Sequence, residues 1–534
     1  MQTVRSVTYQ LLRNVGATAI FGNPGSTEAT FLQNFPGDFR YVLALQEASA
    51  MAMADGFAQA TGRLALVNLH TSAGLGHAMG NLMTASLNKT PLIVTAGQQT
   101  REMLLMEPWL TNVESTLMPR PWVKWAYEPV RAEDVPAAFM RAIATALQPP
   151  QGPVFLSLPV DDWDKPCASP AEVRTVSQRF APDPARLSEF AEVLMKASSP
   201  VLIYGAAIDR GGGWNEGIAV AEALGAPVWT APACERAPFP ENHPLYAGRL
   251  PFAISALRKS LEGHDVALLV GAPVFRYYIY APGNYLPDGM RLLHISDDPA
   301  ETARAPVGDS LLGDAILSLA ALEDLVGERK SHAHATRKAQ AAPAKAAMQQ
   351  LAAADVFSAL AEIRPPHAVM VAECPSAMGD LHKFWPITEP ASFFTSASGG
   401  LGWSLPASVG IALGERETGS HRPILMVVGD GSFQYSLQGI WTAANLNLPI
   451  LIVVLRNGHY GVLKSFAAMA DTPGVPGLDL PGLDIVSLAK GYGCYAARLD
   501  DPQAIKKAAS EAWTKAKPTV LEIPISSEVP VLAA

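Results

Sequence analysis

The chain has 534 residues, 49% of them hydrophobic and 17% charged, which is enough for three or four globular domains. A net charge of −9 without a basic stripe excludes nucleic acid as the expected partner. No run of about twenty apolar residues is present to span a membrane. The opening MQTVRSVTYQLLRNVGA reads as an amphipathic helix without a signal peptide's apolar core, so a cytoplasmic setting is expected.

Read in order, residues 5–15 predict a helix and Thr18–Phe21 a short strand, followed by the turn-rich loop Gly22-Asn23-Pro24-Gly25-Ser26-Thr27-Glu28. A strand over Phe39–Ala44 leads into a helix of small and apolar residues, with Glu47 at its start. A carboxyl among so much Ala and Met is expected to be desolvated, which raises its pKa. Leu64–Leu69 predicts a strand ending at His70. Strands at Pro91–Ala96 and Pro153–Leu158 complete the first domain, over residues 1–180. Gly25, Ser26, His70 and nearly Glu47 fall at carboxyl ends of strands, where open α/β sheets bind ligands, so the four are expected to share one crevice.

A Pro-, Ser- and Asp-rich linker precedes a second α/β domain over 187–328, with strands near 200–204, 227–230, 266–271 and 291–295. Gly211-Gly212-Gly213 lacks the strand–GxGxxG–helix context of a nucleotide loop and reads as a flexible turn. An Ala-rich, basic stretch near 328–350 reads as a second linker. The third domain, 351–534, has strands near 367–372, 424–428, 449–455 and 518–524. The expected class is α/β, with three doubly wound parallel sheets. The four cysteines, Cys167, Cys234, Cys374 and Cys494, have neither metal nor disulfide spacing and read as buried reduced thiols.

The most informative stretch is Ile424–Tyr460. An apolar strand stops at Gly429-Asp430-Gly431, a helical pattern runs to Asn447, and a second apolar strand ends at Arg456-Asn457-Gly458. A carboxylate and an amide oxygen then stand at two adjacent strand ends, as a hard cation requires. The glycines and the helix N-terminus suit a phosphate. Between the first two strands of this domain, Gly399-Gly400-Leu401-Gly402 places an apolar side chain between glycines.

This Gly-Asp-Gly…Asn pattern resembles the diphosphate motif of thiamine diphosphate enzymes. With FGNPGS from Phe21, LALQEA from Leu43, TAGQQTR from Thr95, GAPVFRY from Gly271 and GGLG from Gly399, the chain resembles their pyruvate decarboxylase-like branch over nearly its whole length, and most of all the benzoylformate decarboxylases. The resemblance implies thiamine diphosphate and Mg2+ as cofactors. Decarboxylation of a 2-oxo acid to an aldehyde and CO2 is the implied reaction, in a homodimer or homotetramer whose sites lie between subunits. It implies Glu47 at the cofactor's pyrimidine, and Asp430, Asn457 and the His459 carbonyl at Mg2+. Ser376, Gly431 and Ser432 would meet the diphosphate. Leu401 would prop the cofactor, with the Gly399 carbonyl, Pro24, Gly25 and Tyr460 also against it. Ser26 would take the substrate carboxylate and His70 would move protons. Trp109, Leu110, Thr395, Val462, Leu463 and Phe466 would line the substrate pocket.

Four departures stand out. Arg456 replaces the first Asn of the family's Asn-Asn. Trp109 replaces a Leu and Thr395 an aromatic. Tyr278 stands where benzoylformate decarboxylases carry a second active-site His, and a phenol ordinarily titrates at about 10 against about 6.5 for imidazole. That exchange would slow protonation and favour a second reading, a carboligase or aldehyde lyase acting on 2-hydroxy ketones. A transferase of the acetolactate synthase type is a third, weakened by the missing dinucleotide signature. A catalytically dead cofactor-binding scaffold is a fourth, and retention of Glu47 with Asp430 and Asn457 argues against it.

Overall fold

The computed structural model describes residues 2–529 except 169–171, 279, 281, 328–349 and 473. Nearly all of the predicted basic linker at 328–350 lies outside the described residues.

Three six-stranded parallel sheets carry the chain. The first contains β1 (Ala19–Gly22), β2 (Arg40–Leu43), β3 (Ala65–Leu69), β4 (Leu92–Gln98), β5 (Ala126–Tyr127) and β6 (Val154–Pro159), in the order β2-β1-β3-β4-β6-β5. The second contains β7 (Pro200–Tyr204), β8 (Val228–Thr230), β9 (Tyr246–Arg249), β10 (Val266–Val270), β11 (Arg291–Ser296) and β12 (Asp309–Leu312), ordered β12-β11-β10-β7-β8-β9. The third contains β13 (Val369–Glu373), β14 (Phe393–Phe394), β15 (Ile424–Gly429), β16 (Ile450–Arg456), β17 (Tyr495–Arg498) and β18 (Thr519–Pro524), ordered β14-β13-β15-β16-β18-β17. The first and third sheets thus share one strand order, and the middle sheet has another. Central strands such as β3, β4 and β10 are buried at every residue, because helices cover both faces.

The helices that build the site are α1 (Val4–Asn14), α2 (Glu47–Thr61), α3 (Thr71–Leu87), α4 (Ser404–Thr418), α5 (Asp430–Phe433), α6 (Gly439–Asn445) and α7 (Gly461–Met469). Helices α2 and α4 pack together with their backbones in contact. A Cβ on Gly56 would strike the Ala407 carbonyl oxygen, and one on Gly410 would strike that of Met53. Asp55, fully buried in α2, accepts hydrogen bonds from Asn88 (2.7 Å), Thr90 (2.5 Å), Gln59 (2.8 Å) and the Trp403 indole (2.7 Å). It ties the first and third domains through one carboxyl group.

Two expectations need correction. The helical pattern from Asp430 to Asn447 is two short helices, α5 and α6. The turn between them is drawn toward the glycine-rich loop, where Ser436 Oγ donates to the Gly402 carbonyl (2.7 Å) and Tyr435 packs so close to Gly402 that a Cβ there would lie 2.7 Å from its own. The Gly211–Gly213 turn is packed rather than loose, since a Cβ on Gly213 would lie 2.6 Å from Ile316. All four cysteines are buried and none forms a disulfide, as read.

Candidate active site

The loops after β1, β2 and β3 bring one group of predicted residues together. Glu28, 1% exposed, organises them. One oxygen accepts from the Gly25 amide (3.0 Å) and lies 2.9 Å from His70 Nδ1; the other accepts from Thr27 Oγ1 (2.6 Å) and the Gly97 amide (3.0 Å). Thr27 Oγ1 also lies 3.1 Å from His70 Nδ1. Gly25 is required here because a Cβ would enter the His70 ring. His70 is therefore fixed by a buried carboxylate, while Pro24 and Ser26 stand exposed on the same turn.

Glu47 begins α2 and is buried. It is withdrawn from water among Ala and Met, as the sequence suggests, and two polar side chains also reach it. Glu47 Oε2 lies 3.0 Å from His77 Nδ1, and Oε1 accepts from Asn23 Nδ2 at 3.4 Å. Its side chain passes over Gly74 of α3, where a Cβ would come within 3.3 Å of its Cγ.

A second group gathers at the carboxyl ends of β13, β15 and β16. Asp430 is 3% exposed and accepts from the Gly431 (2.9 Å) and Gly458 (2.8 Å) amides. Burial raises its pKa against these bonds. Asn457 Oδ1 accepts from the His459 amide (3.2 Å). The His459 ring is buried, which lowers its pKa, and its Nε2 has no partner. Gln434 Nε2 and Gln438 Oε1, in the turn after α5, are likewise buried and unpartnered. Gly431 admits no side chain, since a Cβ would enter the Tyr460 ring. Ser432 is buried beside it, and Ser376 is exposed on the turn after β13. Gly399 and Gly402 hold φ of 70° and 96°, and Leu401 between them is half-buried.

Glu373, at the end of β13, was not singled out from the sequence. It accepts from the amides of Gly402 (2.6 Å), Trp403 (3.1 Å) and Ser404 (2.8 Å), fastening the glycine-rich loop and capping α4. Burial pushes its pKa up to about 7. Arg456 pairs with Glu522 on β18, a residue 2% exposed, and its charge also reaches Asp430, where it opposes the effect of burial.

The predicted pocket residues separate into two sets. Tyr278 meets Phe466 of α7 edge-on at 5.2 Å, near Val462 and Leu463 on the same helix. Thr395 donates to the Ala372 carbonyl (2.7 Å). Trp109, by contrast, is 94% exposed and Leu110 46%, on the far loop of the first domain. Within one chain, no hydrogen bond, ion pair or ring contact among the described residues joins the Glu47–His70 group to the Asp430–Asn457 group.

Comparison with known families matches all three domains. The N-terminal TPP binding domain of thiamine pyrophosphate enzymes matches residues 2–115, their central domain residues 187–322 and their C-terminal TPP binding domain residues 376–523. Benzoylformate decarboxylase from Pseudomonas aeruginosa is 42% identical over 99% of this chain and 100% of its own length. The chain belongs to the thiamine pyrophosphate enzymes, in the benzoylformate decarboxylase family. Among solved structures, the benzoylformate decarboxylase from Polynucleobacter necessarius superposes with a TM-score of 0.98 at 51% identity, over 99% of this chain and 100% of that one. The thiamine diphosphate-dependent 4-hydroxybenzoylformate decarboxylase from Rhodococcus jostii gives 0.95 at 39% identity, with the same coverage. As a thiamine pyrophosphate enzyme, the chain carries its cofactor-binding domains in its first and third sheets, the two with a common strand order.

Proposed function

We propose that this enzyme decarboxylates a benzoylformate-like 2-oxo acid to an aldehyde and CO2. The observation that carries the reading is that the similarity to benzoylformate decarboxylases runs the full chain, in a fold that puts Ser26, Glu47, His70, Asp430 and Asn457 in the segments after strands. When bound, thiamine diphosphate supplies the nucleophilic carbon and the electron sink for loss of CO2. Asp430, Asn457 and the His459 carbonyl would hold Mg2+, with Ser376, Gly431 and Ser432 around the diphosphate. The buried unpartnered nitrogens and oxygen of Gln434, Gln438 and His459 fit a polar occupant of this end of the sheet. Leu401, Gly399, Pro24, Gly25 and Tyr460 would bound the rest of the cofactor, and Glu47 would face its pyrimidine. Ser26 binds the substrate carboxylate. His70, oriented by Glu28, exchanges protons with the substrate.

The resemblance implies sites between subunits, and the lack of a direct bond between the two groups among the described residues of one chain supports a homodimer or homotetramer as the working enzyme. The exposed Leu105, Met106, Trp109 and Val113, 96%, 70%, 94% and 60% accessible, are the kind of apolar run a partner covers. Carboligation is the second reading. It is favoured by Tyr278, whose phenol stands against Phe466 where a proton-relaying imidazole is expected. A steady-state assay with thiamine diphosphate and Mg2+ tests both, offering benzoylformate, pyruvate and a branched 2-oxo acid. Aldehyde equal to CO2, with benzoylformate best, is the expected result. Hydroxy ketone in place of aldehyde selects the second reading, and no preference for the aryl acid over pyruvate overturns the aromatic assignment.

A further inference from the structure

Residues 70, 74 and 77 follow the i, i+4, i+7 spacing of one helix face. His70 is the N-cap of α3, Gly74 lies one turn on, and His77 follows one turn later. The Glu47 side chain crosses this face at Gly74, the only one of the three positions without a side chain. The two imidazoles therefore flank it, with different attachments. His70 is taken by Glu28 at 2.9 Å, whereas His77 Nδ1 is 3.0 Å from Glu47 itself. Among the described residues Glu47 has one other side-chain hydrogen bond, the longer one from Asn23 at 3.4 Å. The His77 side chain is 63% exposed and that of Glu47 only 11%, so the histidine reaches in from the rim to a buried carboxyl.

We propose that His77 is a positioning residue for Glu47: its Nδ1 hydrogen bond at Oε2 locks the carboxyl rotamer and so presents Glu47 to the cofactor's pyrimidine. This rests on the site reading given above, in which Glu47 faces that ring. A carboxylate has two oxygens and a free torsion at its end. With one oxygen held by an imidazole on a rigid helix, the group is oriented before the cofactor arrives, and less ordering is left for binding.

The test is a double-mutant cycle read by calorimetric titration of thiamine diphosphate at fixed Mg2+, with turnover measured in parallel. His77→Ala is expected to weaken cofactor binding about five- to tenfold, within the range of one ordinary side-chain hydrogen bond. His77→Asn is expected to recover most of that loss, because its Nδ2 occupies the place of the imidazole Nδ1. In a Glu47→Gln background the His77→Ala effect should shrink to about twofold or less, as coupling through Glu47 demands. An undiminished effect in that background, or Asn no better than Ala, overturns the proposal. If Glu47→Gln alone leaves turnover unchanged, the site reading itself falls and the positioning role with it. Exposure of His77 keeps folding out of the result, and matching thermal melts of the variants verify this.

Discussion

The two half-sites are built on sheets of the same strand order, yet they are finished differently. In the first, side chains hold the two acids: Glu28 has Thr27 and His70 beside two backbone amides, and Glu47 has His77 and Asn23, while Tyr41, Ser49 and Asn68 on β2, α2 and β3 keep a buried atom each unpaired. In the third, Asp430 and Asn457 are held by backbone amides, while Gln434, Gln438 and His459 keep buried atoms unpaired. A set of side chains held in fixed orientations suits proton handling, which needs donor and acceptor in place. A shell of amides and unpaired groups suits an occupant that brings its own charge.

The contrast breaks most severely at Asp430. Asp430→Ala is expected to weaken cofactor binding by about a hundredfold or more if Asp430 is the proposed Mg2+ ligand, since loss of even an outer partner of such a site costs about ten- to a hundredfold. Chelation of the wild type should reproduce the loss reversibly on a calorimeter. Glu28→Gln comes next and should act differently. Turnover should fall about tenfold to a hundredfold as His70 loses its orienting charge, with a stability cost of about 1–3 kcal/mol. Thiamine diphosphate affinity should stay nearly unchanged; a binding loss as large as that of Asp430→Ala would erase the distinction. Arg456→Asn should be mildest. Cofactor affinity should hold, and denaturant melts should show a loss of about 1–2 kcal/mol because Glu522 loses its nearer cation and keeps only Arg498, 3.8 Å away.

Much of this was legible in the sequence, and what was not has a common cause. Every strand with a continuous apolar run was placed within about two residues, because a strand buried on both faces has to be apolar throughout. The strands missed are β5, β9, β12, β14 and β17, all outermost in their sheets. They have two to four residues each, and only β14 is buried throughout, so tertiary pairing rather than local pattern defines them. The same holds in the site. Asp430, Glu47 and His70 stand at strand ends or in quotable strings. Glu28 acts three residues after a glycine turn, Glu373 is the charged last residue of an apolar strand, and His77 shares a helix face with His70. Those spacings were present, but their meaning depends on which loop lies opposite. Arg456 was visible as a departure, and only the register of β16 with β18 gives it Glu522.

The backbone contact of α2 with α4 has a mechanical consequence. Side chains between two helices can hop rotamers and let the helices slide, but at Gly56 and Gly410 there is no side chain to yield, and Trp403 is pinned across the joint by Asp55. Sliding here would drive carbonyl oxygens into neighbouring backbone. The first and third domains of one chain therefore travel together, like two jaws forged on one bar. Movement that admits substrate and releases aldehyde has to be borne by parts not clamped to that bar. Helix α7, which carries the proposed pocket residues Val462, Leu463 and Phe466 and buries only Gly461 and Ser465, is such a part.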